Sequence, residues 1–199
     1  MSKTEIIAEI ISLILNPLVV LMPVPFALVY EKTNSFPLAF QWTAVSAFFI
    51  FLFFLAILAG IKIGVFSNLD ISKREQRPLL FSIGIILAVV YFTTLFLFHA
   101  PAVLLAGTIA IILGLIVLAI INMFTKVSGH LAVLSAFLTF AVIAEGWRAL
   151  VGVLLIPILI WARIKTKNHT LFQTMLGILL GTLTTLAVYV IFKYRLGYV

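Results

Sequence analysis

The stretch AVLLAGTIAIILGLIVLAIINMF, Ala102 to Phe124, holds no charged residue, and Asn122 is its one carboxamide. An α-helix needs about 20 consecutive apolar residues to cross a hydrocarbon core, because it rises ~1.5 Å per residue through ~30 Å of lipid tails. A helix also satisfies its own backbone N–H and C=O groups, which lipid cannot do. Working outward, the whole chain reads the same way. Of 199 residues, 64% are hydrophobic and 10% charged, and the mean hydropathy is +1.32. No water-soluble domain of this length would tolerate that surface. The expected fold class is all-α: a polytopic transmembrane helical bundle of about six to seven spans. It forms a single integral membrane domain over residues 1–199.

Polar and Pro/Gly punctuation divides the chain into about seven such segments. The first, Ile6 to Tyr30, contains Pro17, Pro23 and Pro25 and should be kinked or partly unwound. It follows a charged N-terminus without a small-residue cleavage site, so it reads as a retained span. The second, Leu38 to Val65, ends near Gly60 and Gly64, spaced for close helix contact. A polar loop, Ser67 to Pro78, precedes the third span, Leu79 to Phe98. Only His99-Ala100-Pro101 separates that span from the fourth, Ala102 to Phe124, so the two should form a tight hairpin. The fifth ends at Glu145, the sixth runs from about Trp147 to Trp161, and the seventh from Thr170 to Phe192. Gly177 and Gly181 give the last span a small-residue packing face, which leaves room for a homo-oligomeric helix contact. Counting crossings puts the N-terminus, the loop 70–78, the loop 126–130 and the stretch 163–169 on one membrane face. Three polar segments can therefore converge there. Glu145 and Arg148 read as a local ion pair at the opposite interface, where His99, Trp42 and Trp147 also fall, and Asn122 as a helix–helix hydrogen-bonding contact.

The net charge is +7. Lys and Arg stand in short loops and at span ends, where they anchor topology or meet anionic headgroups, so membrane lipids and no nucleic acid are the expected partners. By parity, Lys3, Lys62, Lys73, Arg74, Arg77, Lys126, Arg163, Lys165 and Lys167 share the site face, against Lys32, Arg148, Lys193 and Arg195 opposite. Positive-inside counting would place the site in the cytoplasm. Several of those cations belong to the suspected site, however, so its side stays open. The expected location is the cell membrane of a bacterium or archaeon. Without cysteine there are no disulfides, thiolate ligands or thiol nucleophiles.

The chemistry lies in two of the three histidines. His130 ends Lys126-Val127-Ser128-Gly129-His130, and His169 follows Arg163 across five residues. Imidazoles beside phosphate-binding cations at the rim of a membrane bundle point to phosphoryl chemistry on a lipid. Ser128 and the Gly129 amide would add donors at a helix start, where unsatisfied N–H groups and the dipole favour an anion, and glycine lets the backbone approach it.

Three fragments, in order, resemble the motifs of the type 2 phosphatidic acid phosphatase superfamily, which includes undecaprenyl-pyrophosphate phosphatases and vanadium haloperoxidases. Those motifs are Lys-x6-Arg-Pro, Pro-Ser-Gly-His and Ser-Arg-x5-His-x3-Asp. Here stand Asp70-x6-Arg77-Pro78, Val127-Ser128-Gly129-His130 and Ala162-Arg163-x5-His169-x3-Gln173. The resemblance covers Asp70 to Gln173 and implies a phosphatase without metal or cofactor. It implies that His169 attacks phosphorus to form a phosphohistidine, and that His130 protonates the leaving oxygen. Arg77 and Arg163 would clamp the phosphoryl oxygens together with Ser128 and Gly129. The substrate implied is a lipid phosphate, phosphatidate-like or a polyprenyl diphosphate.

Three departures accompany the resemblance. Gln173 replaces the aspartate that orients and stabilises the nucleophile; its carbonyl can fix the tautomer but brings no charge. Asp70 replaces lysine and would repel phosphate unless paired with a neighbour such as Lys73 or Arg74, either of which could supply the missing cation. The connection from Pro78 to Ser128 is an apolar hairpin rather than a polar one. The alternative is therefore a catalytically degenerate member that binds anionic headgroups or a protein partner. A prenyl or CDP-alcohol transferase would need clustered aspartates for Mg²⁺, and Asp70 is the lone aspartate. A transporter would need ionisable groups at mid-span.

Overall fold

The computed structural model describes residues 2–193, and these form helices and turns with no strand among them. Arg195, counted above on the far face, lies outside the described residues. Six stretches are long and apolar enough to cross a membrane: Lys3–Leu21, Phe36–Lys62, Arg74–Leu97, Ala102–Asn122, Gly129–Lys165 and Leu171–Ile191. The protein is an all-α integral membrane bundle.

The helices are α1 (Lys3–Ile14), α2 (Pro17–Leu21), α3 (Val24–Thr33), α4 (Phe36–Lys62), α5 (Arg77–Leu97), α6 (Ala102–Asn122), α7 (Gly129–Glu145), α8 (Leu155–Lys165) and α9 (Leu171–Ile191). The expected breaks in the first pass are present. Asn16 caps α2 by accepting the Leu18 N–H at 3.0 Å, Pro17 opens that helix, and Pro23 stands at the start of α3. Proline fits there because the first turn has no partner for its missing N–H.

Gly129–Lys165 folds back on itself. A straight 37-residue helix would separate its ends by ~55 Å, yet His130 and Arg163, near its two ends, both reach the Asp70 carboxylate. The reversal occurs at Gly146, whose φ of +67° disfavours any side chain. From there Gly146–Leu154 returns along α7 as a 3-10 helix and continues into α8. The 3-10 form rises ~2 Å per residue against ~1.5 Å, so a short segment covers more of the bundle's length. The fifth and sixth expected segments thus run antiparallel, and the loops 70–78, 126–130 and 163–169 lie at one end of the bundle. At the other end, Leu28, Val29, Ala39, Trp42, Leu95, Ala100 and Leu104 join α3, α4, α5 and α6. Trp42 is buried in that cluster, whereas Trp147 is exposed.

Burial is inverted relative to a soluble domain. Phe36, Phe40, Phe48, Phe51 and Ile86 face outward, while Ser46, Thr108, Ser135 and Thr174 are buried. Lipid tails are as apolar as leucine, so helix association depends on close approach and interhelical hydrogen bonds. Tyr91 and Ser46 supply such a bond at 2.6 Å, as do Ser135 and the Ile178 carbonyl at 3.2 Å.

Gly177 and Gly181 do form a packing face, and it is turned toward α7: a Cβ at Gly177 would meet the Ser128 carbonyl oxygen, and one at Gly181 the Ala132 carbonyl oxygen and Ser135 Oγ. Three local expectations are corrected. Gly60 makes room for the Phe66 ring rather than for a helix, and Gly64, at φ +79°, turns the chain out of α4. Glu145 and Arg148 form no ion pair, because the chain reverses at Gly146 between them. Asn122 is buried, but its Oδ1 has no partner.

The crossing of α7 and α9 should be the most sensitive packing contact. Gly181→Ala is expected to cost ~1–3 kcal/mol through overpacking against backbone that cannot yield. Gly129→Ala, where a Cβ meets nothing within 4 Å, should leave stability unchanged. Thermal unfolding of the detergent-solubilised variants checks this, and equal midpoints for the two would refute it.

Candidate active site

The three polar segments meet at the ends of α5, α7, α8 and α9. Ser128 caps α7, its Oγ facing the Leu131 N–H at 3.5 Å, and its own N–H donates to the Gln173 carbonyl at 3.2 Å. That bond ties the start of α7 to the start of α9. On the neighbouring turn, the Arg163 carbonyl accepts the N–H groups of both Asn168 and His169, each at 3.2 Å, so the end of α8 sets the position of His169. Thr170 then caps α9 in a capping box with Gln173.

That box explains why glutamine can serve at position 173. Its Oε1 accepts the Thr170 N–H at 3.3 Å and lies 3.1 Å from His169 Nδ1. A backbone amide only donates, so the atom facing it is the oxygen, and the His169 proton must then sit on Nδ1. Nε2 is left with its lone pair. His169 is 6% exposed, and its pKa is pushed down from 6.5 to about 2. Burial is the main cause, followed by the charges of Arg77, Arg163 and Lys126, with the Gln173 bond opposing them. Around neutral pH it is a neutral imidazole with a fixed tautomer.

Asp70 occupies the centre of the cluster. Its Oδ2 accepts from Arg163 Nη1 at 3.0 Å and from Asn168 Nδ2 at 3.2 Å, and its Oδ1 lies 3.8 Å from His130 Nε2. Arg163 is 1% exposed, His130 7%. His130 Nε2 and Arg163 Nε are both buried without a hydrogen-bond partner. Ile71, next to the carboxylate, has φ +45°, a conformation that costs a β-branched residue on the order of 1–3 kcal/mol.

The remaining expected residues divide. Arg77, 6% exposed, is beside the site, but its Nε donates to the Ile71 carbonyl at 3.1 Å and its Nη1 to the Val127 carbonyl at 2.6 Å. It ties two loops together instead of presenting a free fork. Gly129 has open space where a Cβ would stand, so there is room beside the helix start. Lys73 and Arg74 are exposed and stand outside the cluster, Arg74 donating to the Phe124 carbonyl at 3.2 Å. The partner of Asp70 is therefore Arg163, because the loop turns at Ile71 and carries Lys73 and Arg74 outward. The additional cation is Lys126, whose Nζ donates to the Asn168 carbonyl at 2.6 Å. Its pKa is lowered, first by burial and then by Arg77 and Arg163, against Asp70 and Glu75.

Asn168 was not singled out in the sequence. It bonds Asp70, Thr166 Oγ1 at 3.1 Å and Ser72 Oγ at 2.9 Å, clasping the first motif segment to the third. It lies among the five residues between Arg163 and His169, which look like spacers; its carboxamide in a polar loop was the available signal. Among the described residues, no three His, Asp or Glu side chains converge as a metal site would require.

The buried imidazole carries a pH prediction. In the unfolded chain His169 takes up a proton near pH 6.5, whereas the folded chain resists protonation down to about 2. The unfolded state thus binds the extra proton in between. The His169 contribution is complete above ~6.5 and is lost as pH falls through that interval. Wild-type protein should lose more thermal stability than His169→Gln between pH 7 and 5. Nitrogen NMR should show His169 neutral and Nδ1-protonated at pH 5, and titration near 6.5 would refute the assignment.

In comparisons with known proteins, no family model, no curated protein and no solved structure matches this chain.

Proposed function

We propose that this protein is an integral membrane lipid phosphatase related to the type 2 phosphatidic acid phosphatase superfamily. It acts on the terminal phosphate of a phosphatidate-like lipid or a polyprenyl diphosphate whose tail lies along the apolar helices. The observation that carries the reading is the state of His169: Nδ1–H held by Gln173 and Nε2 bare, beside three cations. That is what an imidazole nucleophile for an anionic phosphoryl group requires.

In the proposed reaction, the Nε2 lone pair of His169 forms a bond to phosphorus as the bond to the lipid oxygen breaks. His130, protonated as the phosphate dianion enters beside it, hands that proton to the departing oxygen. Water then attacks phosphorus, His130 takes its proton, and the N–P bond breaks to release phosphate. Arg163 and Lys126 carry the charge that develops on the phosphoryl oxygens, with Arg77 holding the loops around them.

A second reading is supported by Asp70 and Arg77. A carboxylate stands among the cations and one arginine is spent on backbone carbonyls, which suits a non-catalytic member that binds anionic headgroups. Turnover separates the two. Purified protein in detergent is expected to release phosphate from phosphatidate, phosphatidylglycerol phosphate or undecaprenyl pyrophosphate in the presence of EDTA. His169→Ala should abolish release, and Gln173→Ala should lower it by ~10²–10⁴ through loss of the oriented tautomer. Gln173→Asp should raise it. Metal-dependent release, or indifference to His169→Ala, would sink the phosphatase reading.

A further inference from the structure

We infer that Asp70 is a built-in occupant of the anion site, filling it at rest and leaving when a phosphoryl group enters. This rests on the reading of the cluster as a phosphate site. The carboxylate takes the position an incoming anion would take, on Arg163 Nη1 at 3.0 Å, on Asn168 Nδ2 at 3.2 Å and 3.8 Å from His130 Nε2. It fills that position incompletely. Arg163 Nε and His130 Nε2 remain buried and unpartnered, each on a side chain more than nine-tenths buried. A planar carboxylate has two oxygens, both directed at other groups or too distant. A tetrahedral phosphoryl group has three free oxygens and a second negative charge, so it can engage Arg163 Nε, and His130 Nε2 once that ring is protonated, both of which the carboxylate leaves idle.

The mounting of Asp70 fits a removable group. Its side chain keeps 28% exposure while Arg163 is sealed. The backbone around it is held by the Ile71 N–H on the Asn68 carbonyl at 3.1 Å and by Arg77 Nε on the Ile71 carbonyl at 3.1 Å, and the outward side by Ser72 on Asn168 and Asn68, so the movement is that of the Asp70 side chain and not of the whole loop. Phe66 and Ile71 are buried and stay as anchors, and the left-handed backbone at Ile71 sits next to the residue that would move.

The consequence is a threshold. An internal competitor divides the affinity of every external anion by the same factor, the inverse of the fraction of time the site is open. At a membrane surface crowded with phosphodiester headgroups, that factor keeps weak monoanions out. A dianionic terminal phosphate, which recruits the idle donors, still binds.

The test is calorimetric titration of the full chain in detergent with methyl phosphate, a dianion at pH 8, and with dimethyl phosphate, a monoanion. Asp70→Asn is expected to tighten both by a common factor of at least tenfold. Unchanged or weaker binding in a variant that keeps its thermal transition would overturn the inference, because Asp70 would then be structural. Tightening confined to methyl phosphate would also overturn it, since that marks repulsion by a carboxylate that never leaves.

If neither wild-type nor Asp70→Asn protein binds either ligand, both the anion site and the phosphatase reading fall. If Asp70→Asn binds tightly but releases no phosphate from lipid, only the hydrolytic reading falls.

Discussion

A guanidinium sealed from solvent at the rim of a lipid-facing bundle must be neutralised, and the contact of Arg163 with Asp70 at 3.0 Å does this. Asp70 itself stays 28% exposed, so an entering anion can take over that role without leaving the guanidinium unpaired. The geometry of the whole polar end follows from the contact. Asp70 draws the loop before α5 onto the end of α8, and Asn168 bonds the same carboxylate from the next turn. The Arg163 backbone carbonyl, meanwhile, accepts the His169 N–H. One residue thus positions the first segment through its side chain and one histidine through its backbone, with the other histidine 3.8 Å from the shared carboxylate.

Beneath that cluster, the crossing of α7 and α9 sets the distance between the two histidine-bearing helices. Gly177 lies against the Ser128 carbonyl, and the Ser128 N–H reaches the Gln173 carbonyl, so backbone from one helix start touches backbone of the other. Such an approach is open to glycine because any Cβ would enter the space of the opposing chain. Packing in the apolar part of the bundle and orientation in the polar part are one continuous constraint. Gln173 shows the same economy: its single oxygen closes a helix cap and fixes an imidazole tautomer.

Electrostatics links the resting state to the proposed chemistry. Burial first, and then the charges of Arg77, Arg163 and Lys126, keep His169 neutral, and two of those cations, Arg163 and Lys126, are the ones that would hold a phosphate. A neutral imidazole is the nucleophilic form, so phosphate affinity and lone-pair availability share part of their cause. Asp70 offsets part of that positive field.

The sequence by itself determined the membrane bundle, its breaks and the convergence of its polar loops. Uninterrupted apolar runs such as Ala102 to Phe124 have one low-energy solution in lipid, proline at positions 17 and 23 interrupts a helix locally, and crossing parity follows from counting. It also singled out His130, His169, Arg163 and Gln173, because residue type and spacing along a helix start are local properties. Only the tertiary structure decided the partners. That Asp70 pairs with Arg163 rather than Lys73 or Arg74, that Arg77 is bound to carbonyls, that Lys126 and Asn168 complete the cluster and that Gly177 and Gly181 pack inward are contacts between segments far apart in the chain. The physical reason is range. Hydropathy and helix capping act over one or two turns, whereas a buried charge is neutralised by whichever group the folded chain delivers within ~4 Å.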